Sequence, residues 1–365
     1  MRARSERLFA AQGDDAPGAI VLMNGGSGLA DSTFRYVTGV TRGGYEGCGV
    51  VLRPGEAPAM VVSGLEEESA GTAPEAEVHV FKTREAREEI LKTLLGGIDR
   101  VGLNAPAITW DNVRLVEKVA GDAKLVDIGD AVTQARLVKD ANEVALVERA
   151  CAVTSEVAAE IPKMLREGMT ELDLAAEIAI AIQRRGGEIA FDTIVCFGKN
   201  GSEPHYSPDN VPLQRGDMIL IDFGTKLNHY NSDITRMYVF GEASPEQRRM
   251  FDVVMDAQRA AVDLTRAGGE ARAVHRKAVE IIDATEFAGR FIHGTGHSIG
   301  LDVHDGGGLS DASSLTLEPG MIMTVEPGVY VPGVGGVRIE DTVLVTEGEA
   351  KNLTPVTKEL VEVPA

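Results

Sequence analysis

Four carboxylates and one imidazole, gathered in a few short segments of the C-terminal half, are the residues of this chain best suited to chemistry. They are Asp222 and Asp233 in IDFGTKLNHYNSDITR, His297 in HGTGHSIGLDVHD, Glu326 in TVEPGVY and Glu340 in VRIED. The set is too hard for a structural zinc knot, which would use Cys and His. It suits two divalent cations that share bridging carboxylates, with a water between them. Without cations the carboxylates would repel one another and raise one another's pKa. The chemistry implied is hydrolysis by water activated between the ions.

Taken singly, each group has a plainer explanation. Asp222 ends the apolar run Met218–Ile221 and Asp233 follows a turn containing Asn228 and Asn231, so either could simply cap backbone amides. A hairpin of that length, however, lets both carboxylates point to one side at one level. His293 and His297 are four apart, as in helical HExxH zinc sites, but Gly294, Gly296 and Gly300 argue against a helix, and Gly294 stands where that motif needs Glu. An extended glycine-rich segment also sends 293 and 297 to one face. Three of the seven histidines, His293, His297 and His304, fall within this stretch. Glu326 and Glu340 flank the turn PGVYVPGVGG, and Glu326 follows the apolar Met321–Val325. A carboxylate buried there needs a partner, either a metal or Arg338.

Two sets of elements must hold these groups. Residues 1–130 read as an α/β unit with strands at Ala19–Met23, Gly49–Leu52, Ala59–Val62, Val78–Phe81 and Arg100–Asn104, and helices at Ala86–Leu95 and Trp110–Val119. The GGSG turn after the first strand, with Gly25, Gly26 and Gly28, is too short for a phosphate-binding fingerprint. With no His or carboxylate cluster, this half shapes a site rather than doing chemistry. A junction at Val126–Leu137 leads into residues 131–365. There a helix runs from Asp140 to Glu167, a second starts at the capping-box-like Thr170 and ends at Gly186-Gly187, a third starts at Ser244-Pro245, and a fourth covers Glu270–Ala284. Strands at Thr193–Phe197, Asp217–Phe223, Ile234–Phe240, Ile322–Val331 and Val337–Val345 alternate with them. This order predicts an α+β domain with an antiparallel sheet.

The balance of 36 basic against 56 acidic residues, net −20, disfavours nucleic acid or an anionic membrane as partner. No apolar stretch approaches the length of a membrane span. Asp14 and Asp15 interrupt any signal-like run at the start. Cys48, Cys151 and Cys196 are odd in number and widely spaced, which fits reduced thiols in a cytoplasm.

The ordered set DFG…SDITR, HGTGHSIGLDVHD, TVEPGVY and VRIED resembles the metallopeptidases of the pita-bread fold, and most closely their Xaa-Pro aminopeptidase and prolidase (Xaa-Pro dipeptidase) branch. The resemblance covers residues 140–350 strongly. Residues 1–130 resemble that branch's creatinase-like N-terminal domain only loosely, through segments such as STFRYVTG. It implies a curved antiparallel catalytic sheet and two divalent ions, with Mn²⁺ suited to the oxygen-rich set and Co²⁺ or Zn²⁺ accepted. It further implies that Asp222 and Glu326 each serve one ion, that His297 joins Glu326, and that Asp233 and Glu340 bridge. Glu326 would shuttle a proton, and His293 and His304 would contact substrate and its tetrahedral intermediate. His205 in GSEPHYSPDN resembles the family's further active-site histidine, and Arg338 its arginine that orients the bridging carboxylates. The implied activity is removal of an N-terminal residue from peptides or dipeptides with proline second, by a homodimer. General metallo-aminopeptidases of the same fold and metal-free creatinase-like hydrolases or binding modules are the alternatives. One departure stands out: the VHD run continues as VHDGGGLSDASS, with no Arg or Lys between Arg290 and Arg338 to read a dipeptide's free carboxylate.

Overall fold

A computed structural model describes residues 1–26 and 28–365, so Ser27 of the GGSG turn lies outside the described residues. The chain divides into two compact units, Met1–Arg136 and Leu137–Ala365. The first is built on one six-stranded sheet. Ala19–Met23, Ala59–Ser63, Glu77–Phe81, Arg100–Leu103 and Lys124–Asp127 all run in one direction, and Gly49–Leu52 alone runs against them. Apolar side chains from both partners, such as Val21, Val61 and Leu103 of the sheet and Leu91 and Val116 of the helices Arg84–Leu94 and Trp110–Ala120, form its core. The helices Arg2–Ala10, Ser32–Thr38 and Gly129–Leu137 and the strand Lys124–Asp127 were not foreseen, because each is short or weakly patterned.

In the second unit the start signals at Thr170 and Ser244 act as the sequence implies, and Asp140 adds a third. Each closes a capping box: Asp140, Thr170 and Ser244 open the helices Ala141–Met164, Glu171–Arg184 and Pro245–Leu264. The helix Ala271–Asp283 follows. A four-stranded sheet runs in the order Val361–Val363, Ile234–Phe240, Met218–Phe223 and Ile194–Phe197; its first strand is parallel to its neighbour and the rest are antiparallel. Strand periodicity decides its faces. Ile219, Ile221, Phe223 and Ile234 pack on the helices Ala141–Met164 and Glu171–Arg184, through Val157, Ile161, Leu174 and Ile178. Met218, Leu220, Met237 and Val239 pack the other way, with Val254, Ala257 and Val274 of the later helix pair.

The two long strands expected at Ile322–Val331 and Val337–Val345 are each broken in two. Ile322–Val325 pairs with Asp341–Leu344, whereas Gly328–Val331 pairs with Gly335–Arg338 in a separate ladder. Pro327 has no N–H to continue a ladder. Around the break the backbone changes partner, with Glu326 N donating to Thr295 O and Glu340 N to Thr235 O. The breaks therefore fall at the two candidate glutamates.

Candidate metal centre and active site

Asp222 and Asp233 share the parity of Leu220 and Met237, so both project from the face opposite Ile221 and Ile234. Register pairs Asp222 with Thr235 and sets Asp233 one residue before the paired Ile234. Between them a small hairpin, Thr225–Leu227 with Tyr230–Asn231, turns at Asn228 and His229, both at positive φ. Asn228 thus makes the turn, while Asn231 belongs to the returning strand. His297 lies on the short strand Gly296–His297, and Glu326 and Glu340 sit in the two ladder breaks.

These five groups converge. Asp233, His297 and Glu340 each offer an atom within 4.8 Å of the others. His297 Nε2 is 3.5 Å from Glu326 Oε1 and 3.7 Å from Asp233 Oδ2. Its Nδ1 lies 3.2 Å from Ser298 O; a carbonyl can only accept, so Nδ1 carries the proton and Nε2 keeps its lone pair for a cation. The oxygens Asp222 Oδ1, Asp233 Oδ1 and Glu340 Oε1 are buried with no hydrogen-bond partner among the described residues. Buried carboxylate oxygens left so are costly, and a divalent cation between them would satisfy them. The donor set fits that role.

The electrostatics agree. Burial, then repulsion from Glu340 and Asp222, pushes the Asp233 carboxyl well above the carboxylate range. Burial, then Glu326 and Asp222, does the same to Glu340. Burial raises Glu326 to about 7 against the pull of Arg338. Each shift is in the direction expected of carboxyls crowded together out of water, the charge that divalent cations would neutralise.

Around this centre lies a hydrogen-bonded frame that sequence reasoning only half located. Arg338 is buried, and its Nη2 meets Asp222 Oδ2 at 2.5 Å. Its Nε donates to Thr235 Oγ1 (3.1 Å), which in turn donates to Glu340 Oε2 (2.7 Å). The direct ion pair is therefore with Asp222, and one bridging candidate is reached through a threonine. Arg338 Nη1 also donates to Tyr330 OH (2.8 Å) and Pro204 O (3.3 Å), the latter beside His205. Thr324 Oγ1 accepts from His297 N and donates to Glu326 Oε1. Thr235, Thr324 and Tyr330 stand in the quoted segments DITR, TVEPG and PGVY, but a hydroxyl signals no role until its neighbours are known.

A cavity of about 400 Å³ opens over the centre. His205, Asp222, Asp233, His293, His297, His304, Glu326 and Arg338 line it. His304 stacks near His297, with ring centroids 4.1 Å apart. His293 differs from His205 and His304. Its Nδ1 is 2.7 Å from Gly294 O and its Nε2 is 2.8 Å from Tyr330 OH. Burial and the nearby Arg338 lower its pKa to about 4, so the ring is neutral, with Nδ1 donating and Nε2 accepting from Tyr330. Both nitrogens are occupied within the protein. His205 rides on the loop after Gly198–Ser202, held by the buried Glu171, which accepts from Phe197 N, Asn200 Nδ2 and Asp209 N.

Residues 145–347 match Metallopeptidase family M24, and residues 4–138 match the Creatinase/Prolidase N-terminal domain. The chain belongs to this metallopeptidase family. It is 34% identical to the Xaa-Pro dipeptidase of Pyrococcus furiosus over 315 residues, 86% of this chain and 89% of that one. The prolidase structure from Pyrococcus horikoshii covers 98% of this chain and 100% of its own at a TM-score of 0.89 and 29% identity. The X-Pro aminopeptidase of Thermotoga maritima covers 99% and 100%, at 0.90 and 29%. The protein is accordingly a metallo-exopeptidase, with a creatinase-like α/β N-terminal unit and a pita-bread α+β catalytic unit. Divalent metal is the cofactor class of this family. Among the described residues no helix is long and apolar enough to cross a membrane.

Proposed function

We propose that this enzyme cleaves the N-terminal Xaa-Pro bond of peptides and dipeptides, using two divalent ions held by Asp222, Asp233, His297, Glu326 and Glu340. The observation that carries the reading is the convergence of four carboxylates and one imidazole around three orphaned carboxylate oxygens. When bound, such ions supply an activated water and neutralise charge at the scissile carbonyl. His304 and His205 face the cavity and donate to the carbonyl oxygen as charge develops on it. His293, with both nitrogens occupied, instead braces the site through Tyr330 and Arg338. Glu326 takes the proton of the attacking water and passes it to the proline nitrogen, which leaves as a secondary amine. Phe191, Ile194 and Val303 also line the cavity and give it apolar surface that suits a proline ring.

Manganese suits the oxygen-rich set best. The three cysteines are free and buried, which supports a cytoplasmic setting, and a homodimer is the assembly we expect. The test is to strip metal with a chelator, add back Mn²⁺, Co²⁺ or Zn²⁺, and assay Gly-Pro, Ala-Pro, Ala-Pro-Ala and Ala-Ala-Ala. Cleavage confined to the proline peptides is expected. Equal cleavage of Ala-Ala-Ala would make it a general metallo-aminopeptidase instead.

A further inference from the structure

We propose that Lys139 is a positioning residue of the active site: its buried ammonium holds both ends of the loop 298–307 and thereby sets His304 over His297. The inference rests on the role given above to His304. The loop joins the paired strands Gly296–His297 and Gly308–Leu309 and contains glycines at 300, 306 and 307. Gly306 and Gly307 are at φ of 75° and 63°, so this backbone has much freedom to lose. His304 is exposed on it, yet its ring centroid is held 4.1 Å from that of His297.

The constraint comes from beneath. Lys139 is completely buried, and its Nζ lies 2.8 Å from Ser298 Oγ and 3.5 Å from Asp305 Oδ2. Ser298 is the immediate neighbour of His297, and Asp305 that of His304. The same two residues close the loop through their backbones, with Asp305 N donating to Ser298 O at 2.8 Å and Ser298 N to Gly307 O at 3.2 Å. The crevice is full: a Cβ on Gly300 would sit 2.2 Å from Asp305 Oδ2 and 3.1 Å from Lys139 Cε. The lysine is itself anchored, its N donating to Gly320 O. A buried ion pair is poor value as stabilisation, since an apolar pair of like volume serves as well. What the charges add is direction. An ammonium with one partner beside each histidine fixes both ends of the loop at once.

The test compares Lys139→Met, Asp305→Asn and the milder Ser298→Ala, each alone and combined with His304→Ala, in the manganese-loaded enzyme. Each substitution is expected to lower kcat on Ala-Pro-Ala by about 10²-fold with KM little changed, as misplacement of one group does. In the His304→Ala background the same changes should alter kcat less than about threefold, because the group they position is gone. Bound metal per chain should stay constant. Equal losses in both backgrounds, or loss of metal, would overturn the proposal, since Lys139 would then act on stability or on His297. Ser298→Ala removes only a hydroxyl and keeps the test open should Lys139→Met fail to fold. Histidine ring NMR of the zinc-loaded protein gives a readout independent of substrate. The His304 signal should shift in Asp305→Asn while that of His275, on the helix Ala271–Asp283 with its Nδ1 2.9 Å from Thr295 Oγ1, stays; an unmoved His304 signal would refute the proposal even if no peptide is cleaved.

Discussion

At the scale of single residues, the site is a balance of charge that burial makes severe. Asp233 and Glu340 each hold an orphaned oxygen in a region with almost no water access. Asp233→Asn or Glu340→Gln should abolish peptidase activity and remove bound metal, measured together by assay and mass spectrometry. His304→Ala should lower turnover by about 10²–10³-fold with metal retained, as for loss of one donor to the developing oxyanion. Metal loss in that variant would mean that His304 is a ligand. The raised carboxyls also set a pH dependence for the metal-free protein. A carboxyl whose folded pKa exceeds its unfolded value stabilises the fold below the unfolded pKa of about 4 and loses that contribution as pH rises through the folded one. For Glu326 that window extends to about 7. The metal-free melting temperature should therefore fall between pH 5 and pH 8 by more in the wild type than in Glu326→Gln, and added metal should raise it more at pH 8. An equal fall in both proteins would contradict the assignment.

At the scale of elements, the centre depends on places where strands stop or approach unusually closely. The Glu326-Pro327 break and the switch of the Glu340 N–H to Thr235 O turn two carboxylates inward from what would otherwise be continuous strands. Arg236, on the opposite parity to Thr235, donates to the Glu340 carbonyl and pairs with Asp341 at 2.8 Å, so the second break is pinned from behind. Gly224 lies between the strand carrying Asp222 and the small hairpin before Asp233, and a Cβ there would meet Ser232 O at 1.9 Å. Gly224→Ala should push the hairpin away from Asp222, costing about 1–3 kcal/mol of stability and weakening metal binding. Calorimetry with a metal titration checks both; normal affinity would show that the hairpin does not set the spacing of Asp222 and Asp233.

At the scale of the whole molecule, charge bears on which substrates fit. Among the described residues lining the cavity Arg338 is the only Arg or Lys, and it is committed to Asp222, Thr235 and Tyr330. A dipeptide's carboxylate would lie near the site without a partner, at a cost of several kcal/mol. Ala-Pro-Ala should therefore exceed Ala-Pro in kcat/KM at equal Mn²⁺. A tenfold preference for the dipeptide, about 1.4 kcal/mol, would reveal a carboxylate-binding cation from elsewhere. Much of this was open to the sequence by itself. The five candidate ligands stood out because hard ligands and glycine-rich backbone are rare in such order, and the starts at Thr170 and Ser244 because a helix start is written in four consecutive residues, whereas His205, His293, His304 and Arg338 took their roles from the family resemblance. Local chemistry carries that information within the segment. The breaks at Glu326 and Glu340, the threonine that links Arg338 to Glu340, the occupied nitrogens of His293 and the lysine under the 298–307 loop were decided only by the tertiary structure. Apart from the bond of His293 Nδ1 to its neighbour Gly294, each rests on contacts between residues far apart in the chain, and a hydroxyl, an imidazole or an ammonium has no role until folding sets its partner beside it.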